Sequence, residues 1–447
     1  MASPLSTPPG PIGLPLLGVL LDFRRNPAEY LLKTSQKFGE VSHFRIGLQK
    51  MYFINRPDLI EEVLVTNPNN FIKSRMLQRA KGLLGEGLLT AEGAHHIRQR
   101  KLSQPAFYRD RLAAYAGMMT AAAEEASERW ENGATLEMTD EMMHLTLRIV
   151  GLTLFSRDVE SDAAEIGQAL TDVISTFETM LLPFSGLIRA LRLGPMAKAE
   201  RAQKILDTKI YELIRERREA GRDRGDLLST LLAMAEGGEA GMTDKQVRDE
   251  AMTLMLAGHE TTATALTWAW FLLSQHPDVE SKLRAEWRMV LGGREPTFDD
   301  LPALVYTERV FAESMRLYPP AWALGRQVVN QFRLFNFIMP AGSICIMSPY
   351  VMHRNPRFWP DPETFDPERF TPEAKAGRPK FAYFPFGGGP RVCLGERFAW
   401  MEGALVLATI GQNWRFRMAG NQLPGIHPQI TLRPRGGIRM TAERVIV

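Results

Sequence analysis

From Val247 to His276 the chain reads VRDEAMTLMLAGHETTATALTWAWFLLSQH without a single proline, and Pro277 follows at once. No other feature limits the fold so strongly. Just upstream, Thr243 and Gln246 in MTDKQV have the spacing of a capping box, in which each residue satisfies a free N–H at a helix start. Pro277 provides the stop. The stretch predicts a helix of about thirty residues, roughly 45 Å long at ~1.5 Å rise per residue. From Met252 onward it is apolar nearly all round, so it has to run through the interior of a domain rather than lie on its surface. A chain of 447 residues, 45% hydrophobic and 23% charged, can build such an interior.

The flanking sequence places this helix in a wider plan. Residues 107 to 320 carry mainly helical patterning, whereas 40 to 65 and 325 to 440 read as short strands with Pro-Ala-Gly or Gly-Gly turn signals. Neither an internal repeat nor a low-complexity linker divides the chain. The expectation is a mainly α fold with small β-sheets, one domain over 1–447.

Several function classes drop out. A net charge of +3, with no basic run interleaved with aromatics, gives no footing for nucleic acid. Two cysteines cannot build a disulfide framework, which fits a reducing, cytoplasmic setting. The apolar run Ile12 to Leu21 is interrupted by Pro15 and is far shorter than the roughly 20 residues of a spanning helix. It lacks a basic n-region and a cleavage site, so neither a membrane anchor nor a signal peptide is expected.

Within the long helix, AGHETT (257 to 262) puts Glu260 between His259 and two threonines in apolar surroundings. A buried carboxylate is costly unless something uses it or satisfies it. Thr261 and Thr262 can bond back to the preceding turn and bend the helix. Both a kinked core helix and a working site suit the pattern. A second helix, ALVYTERVFAESMRLYPP, brings Glu313 and Arg316 onto one face.

The stretch FPFGGGPRVCLGERFA (384 to 399) puts Cys393 after a cluster of glycines. A phosphate loop would need GxGxxG or Lys-Ser/Thr spacing, which is absent. A nucleophilic thiol would need a base, with His353 as the candidate. An iron ligand accounts for more of the residues. Glycines let the backbone approach a flat macrocycle. A helix beginning after Gly395 directs its positive end at a thiolate, and Arg391 can pair with a carboxylate of the macrocycle.

FGGGPRVCLG resembles the haem-binding loop of the cytochrome P450 monooxygenases, Phe-x-x-Gly-x-Arg-x-Cys-x-Gly, with every fixed position filled. AGHETT resembles the family's oxygen-activation motif, and ESMR its Glu-x-x-Arg, with Arg369 of PERF as the third member of that network. GAHHIRQRKLSQPAF resembles the helix that crosses a haem edge, carrying His96 where many members have Trp. PPGPIGLPLLG is similar to the segment after the anchor of microsomal members.

The resemblance implies the triangular single-domain P450 fold and a haem b cofactor, with Cys393 as the iron ligand and Phe386 beside its sulfur. It implies His96, Arg100, Arg326 and Arg391 at the haem carboxylates, and Gly395 and Ala257 where backbone or helix must leave room. Thr261 and Glu260 become the hydroxyl and carboxyl that deliver protons during O2 activation, the catalytic pair. Electrons from NAD(P)H would arrive through a separate ferredoxin or flavodoxin with its reductase, received at a basic patch around IRQRK (97 to 101), Arg109, Arg111 and Arg397. The protein is expected to be a monomer acting on an apolar fatty acid, terpenoid or steroid. The substrate would be lined by 74 to 89, 177 to 188, 255 to 262 and 319 to 325, and segment 177 to 193 would lie near lipid. A peroxide-driven peroxygenase, a non-catalytic haem protein and a cysteine hydrolase are the alternatives.

Overall fold

Thr243 and Gln246 close the capping box reciprocally, Gln246 N donating to Thr243 Oγ1 at 3.2 Å and Thr243 N to Gln246 Oε1 at 2.9 Å. The helix they start runs Asp244–Gln275, 32 residues, and ends at the residue pair before Pro277. The computed structural model describes residues 7–180, 195–235 and 242–445. Every residue of this central helix from Val247 to Ser274 is buried except Ala257, Gly258 and Thr261.

Helices wrap the central one, as its apolar circumference requires. Met138–Phe155 packs along it, and Val305–Leu317 and Glu396–Asn413 cover other faces. Together they form one large core that includes the fully buried Trp268 and Trp287. Trp268 also donates its Nε1–H to Leu432 O at 2.7 Å, which fastens the hairpin Ile426–Pro428/Leu432–Pro434 against the helix. With Leu432 N–H donating to Pro320 O at 3.0 Å, that bond holds the strand that carries Arg433.

The principal sheet has five strands, in the order Val41–Ile46, Gln49–Ile54, Ile344–Met347, Leu324–Val328, Phe71–Lys73. Only Gln49–Ile54 and Ile344–Met347 run parallel. The outermost pairing sets Lys73 directly opposite Arg326. The strand-rich region 325 to 440 also contains the helix Glu396–Asn413 that follows Cys393. No helix among the described residues is long and apolar enough to cross a membrane. Of the segment expected near lipid, and of the expected lining at 177 to 188, everything from 181 onward lies outside the described residues.

Candidate functional site

Ala257, Gly258 and Thr261 lie on one face of the central helix and open the only window in its buried length. Thr261 Oγ1 donates to Ala257 O at 2.7 Å, the back-bond to the preceding turn that its sequence position suggested. Cys393 precedes the helix Glu396–Asn413, which packs on the central helix. Its residue is exposed, yet burial pushes its thiol up to about 11, while the Gly395 amide hydrogen bond lowers it. Cys393 is thus exposed as a residue while the surrounding chain desolvates its thiol. Glu402, on the helix after Cys393, faces Thr262 next to the window, so the helix that follows the thiol packs against the segment that carries the window.

The glycine loop is shaped for that approach. Gly387 and Gly389 adopt φ of 74° and 69°, where residues with a Cβ are strained. A Cβ on Gly389 would also lie 1.9 Å from Leu64 O. Cys393 N donates to Phe386 O at 3.1 Å, folding the loop around the sulfur, and the half-buried Phe386 ring leans on Trp400 at 5.7 Å between centroids. Gly395 is the N-cap of Glu396–Asn413 with no side chain capping it, leaving its turn free to serve the sulfur.

Beside the thiol lies an imbalance of charge. Arg100 donates from Nη1 to Val392 O at 2.7 Å, tying the crossing helix Gly93–Ser103 to the loop. Burial, followed by the charges of Lys73, Arg391, Arg100 and Arg326, pushes His96 down to about 4. Burial and then Arg391 push Arg326 down to about 10 and Lys73 to about 7. Lys73 and Arg326 even face each other across a strand pair, an arrangement that destabilises a sheet. Glu92 is the carboxylate bonded into the group, ion-paired to Arg391 and accepting Lys73 N at 2.6 Å.

A cluster of buried cations that repel one another is poised for anions from outside the chain. A haem offers two carboxylates, a flat face to meet the glycines, and an iron for the thiolate, so the residues present fit this group. Cys393, Phe386 and Gly395 would hold its iron side; Arg391, Arg326, Arg100 and His96 would meet its carboxylates. Lys73 and Glu92 join them although sequence reading passed them over. Nothing marks a lone Lys in NNFIKSR; only its cross-strand partner, far along the chain, gives it a role.

Glu260 stands apart from the expected pairing with Thr261. It is buried, and its Oε1 accepts from Thr431 Oγ1 at 2.6 Å and Arg433 Nε at 2.8 Å. The carboxylate is thus turned to the hairpin and not to the window. His353 is likewise occupied: its Nε2 accepts from Phe384 N at 3.1 Å, and burial holds its pKa well below the usual histidine value. It braces the chain before the loop and does not act as a base for Cys393. The second cysteine, Cys345, is a core thiol that burial pushes up to about 12.

Glu313 and Arg316 form a two-pronged ion pair at 2.6 and 2.8 Å, both fully buried. Arg316 also donates to the carbonyls of His353, Pro362 and Thr364, and Arg369 Nε lies 3.5 Å from Glu313 Oε1. Of the expected basic patch, Lys101, Arg109 and Arg397 are exposed and Arg111 is half-buried.

A family model for cytochrome P450 matches residues 8–440. Cyclooctatin synthase of Streptomyces melanosporofaciens is 39% identical over 97% of this chain and 95% of its own length. Cyclooctat-9-en-7-ol 5-monooxygenase of the same organism is 37% identical over 93% and 90%, and pentalenene oxygenase of Streptomyces avermitilis 34% over 92% and 90%. Among solved structures, the retinoic acid-bound cyanobacterial CYP120A1 superimposes with a TM-score of 0.89 at 27% identity, covering 98% of this chain and all of the other.

Proposed function

The chain belongs to the cytochrome P450 family and is a monooxygenase, and from that premise we propose that it places one oxygen atom from O2 on an apolar terpenoid in a reaction fed by a separate electron donor. The relatives named for cyclooctat-9-en-7-ol and pentalenene support the terpenoid class. The single observation that carries the reading is the exposed Cys393 in its glycine loop, beside a cluster of cations short of anions.

A haem bound there supplies the reduction of O2 and the insertion of oxygen into a C–H bond. The chain does the remaining work. Gly395 N–H bonds the Cys393 sulfur and sets how much electron density it donates. Arg391, Arg326, Arg100 and His96 orient the macrocycle through its carboxylates. Ala257 and Gly258 keep side-chain bulk out of the window. Thr261 Oγ1 can give up its bond to Ala257 O and present its proton to the open side.

Glu260 serves as the second half of the proton path by exchanging partners. Arg433 and Thr431 hold it in its buried place; release from them would turn its carboxylate toward Thr261. The exposed Lys101, Arg109 and Arg397 suit an acidic ferredoxin or flavodoxin, so reduction should slow as ionic strength rises. We assign the protein to the cytoplasm, where two unpaired cysteines remain thiols.

The test is the carbon monoxide complex of the reduced holoprotein. A Soret band at the red-shifted position of a thiolate-ligated haem supports the assignment; a haem-loaded protein without it refutes it. The tethering of Glu260 favours one second reading, a peroxide-driven enzyme that needs no proton path. Turnover with hydrogen peroxide that matches or exceeds turnover with NAD(P)H and a redox partner would establish it.

A further inference from the structure

The segment from Leu83 to Thr90 hangs on the central helix by an uncommon arrangement, in which consecutive charged side chains of the helix bond its main chain. Arg248 donates to Leu84 O at 3.2 Å and Leu83 O at 3.4 Å. Asp249 accepts Glu86 N at 2.9 Å, and Glu250 Oε2 accepts Leu88 N at 3.1 Å. From the other side, Lys73 Nζ donates to Leu88 O at 2.6 Å. Both main-chain polar atoms of Leu88 are therefore held by buried charges.

The three helix residues are not equivalent. Arg248 is ion-paired with Asp207 and Asp249, and Asp249 with Lys245. Glu250 is fully buried, and its Oε1 has no hydrogen-bond partner among the described residues. Burial pushes its carboxyl up to about 7, while the Leu88 amide lowers it. A fully buried carboxylate that serves one loop amide has a cost the fold alone does not explain.

The place of contact is informative. A Cβ on Gly87 would lie 2.2 Å from Thr253 Oγ1 and 2.4 Å from Asp249 O, so the segment touches the helix there without clearance. Thr253 stands one helical turn before Ala257, the first residue of the window. Leu88 and Leu89, next along, remain half-exposed.

We propose that Glu250 is a positioning residue for substrate selection: through the Leu88 amide it sets how closely the Leu83–Thr90 segment approaches the window, and so the size of apolar molecule admitted beside Thr261. This rests on the haem-thiolate reading above. Lys73 shares the grip but also belongs to the cation cluster, so Glu250 is the informative residue to change.

The experiment titrates holoprotein with imidazole and with N-alkylimidazoles of increasing chain length, following the Soret shift. Glu250→Met should change the ratio of dissociation constants between the longest and the unsubstituted ligand by about fivefold or more, the worth of one hydrogen bond. Glu250→Gln should keep the native ratio, since its amide oxygen still accepts the Leu88 N–H. Deuterium uptake across Leu83–Thr90 should quicken in the Met variant alone. Should Glu250→Met not fold, Glu250→Asp, which withdraws the oxygen by one methylene, should shift the ratio in the same direction.

An unchanged ratio in the variant that folds overturns the inference, and so does a Gln variant as altered as the Met one. Wild-type protein that gives no Soret shift with imidazole itself would sink the haem-thiolate reading and this inference together. A normal shift with unchanged ratios sinks the inference alone.

Discussion

The Glu313–Arg316 network and the Lys73–Arg326–Arg391 cluster are both buried assemblies of charge, but they treat their desolvation in opposite ways. Around Arg316 the chain supplies its own answer: a two-pronged carboxylate and three carbonyls satisfy the guanidinium. Around Arg326 it does not. Lys73 faces Arg326 across the strand pair, Arg391 presses on both, and Glu92 is the carboxylate bonded among them. Glu402 is a third case, fully buried, its carboxyl set beside the Thr262 hydroxyl. Balanced charge marks a structural joint; unbalanced charge of one sign marks a place where a ligand completes the fold.

The comparison breaks most visibly at the joint. Glu313→Ala leaves Arg316 charged and buried, which should cost ~3–5 kcal/mol and yield little haem-loaded protein. A soluble, spectrally normal variant would show that the joint is not needed. Next in size is Glu402, whose carboxyl burial pushes up to about 8 from the usual carboxylate range. Because the folded state holds this proton more tightly, stability is greatest below about pH 4.5 and falls as pH rises towards 8. At ~1.4 kcal/mol per unit of separation, Glu402→Gln should remove a slope of a few kcal/mol from denaturation curves measured across that range. A variant with the wild-type slope would place the proton elsewhere.

Arg326→Met sharpens the contrast, because its two effects should have opposite signs. Relieving the repulsion with Lys73 should stabilise apoprotein by up to about 1 kcal/mol. Losing a charge-assisted bond to a carboxylate should weaken haem retention about tenfold or more. Apoprotein melting and haem transfer to a scavenger read the two separately, and effects of the same sign would contradict the assignment. Smallest for stability is Thr261→Ala, since this hydroxyl bonds only within its own helix. A change within about 0.5 kcal/mol is expected, together with diversion of NAD(P)H electrons into peroxide. Full coupling of electrons to product would remove Thr261 from the proton path.

Much of the fold was legible because its signals are local. The capping box, the absence of proline up to Pro277 and the apolar circumference together specify the central helix, and it forms with the anticipated start and stop. Cys393, Gly395, Arg391 and Phe386 sit within one loop, so a single motif announces them. Glu260 shows where such reading stops. The sequence places it beside Thr261, but its direction depends on Arg433, which the Trp268–Leu432 bond carries to it from the far end of the chain.

By itself, then, the sequence determined which segments become helix, where the thiol-bearing loop lies and what kind of group it can hold. Those outcomes depend on neighbours a few residues apart, whose conformational preferences act before the chain is compact. Tertiary structure alone decided which charges from distant segments meet. Lys73 opposite Arg326, Glu92 on Arg391 and Glu250 under Leu88 all arise from pairings between distant segments. A side chain's partners, and hence its protonation and its use, belong to the packed state, because desolvation and Coulomb interaction begin only when those segments close on one another.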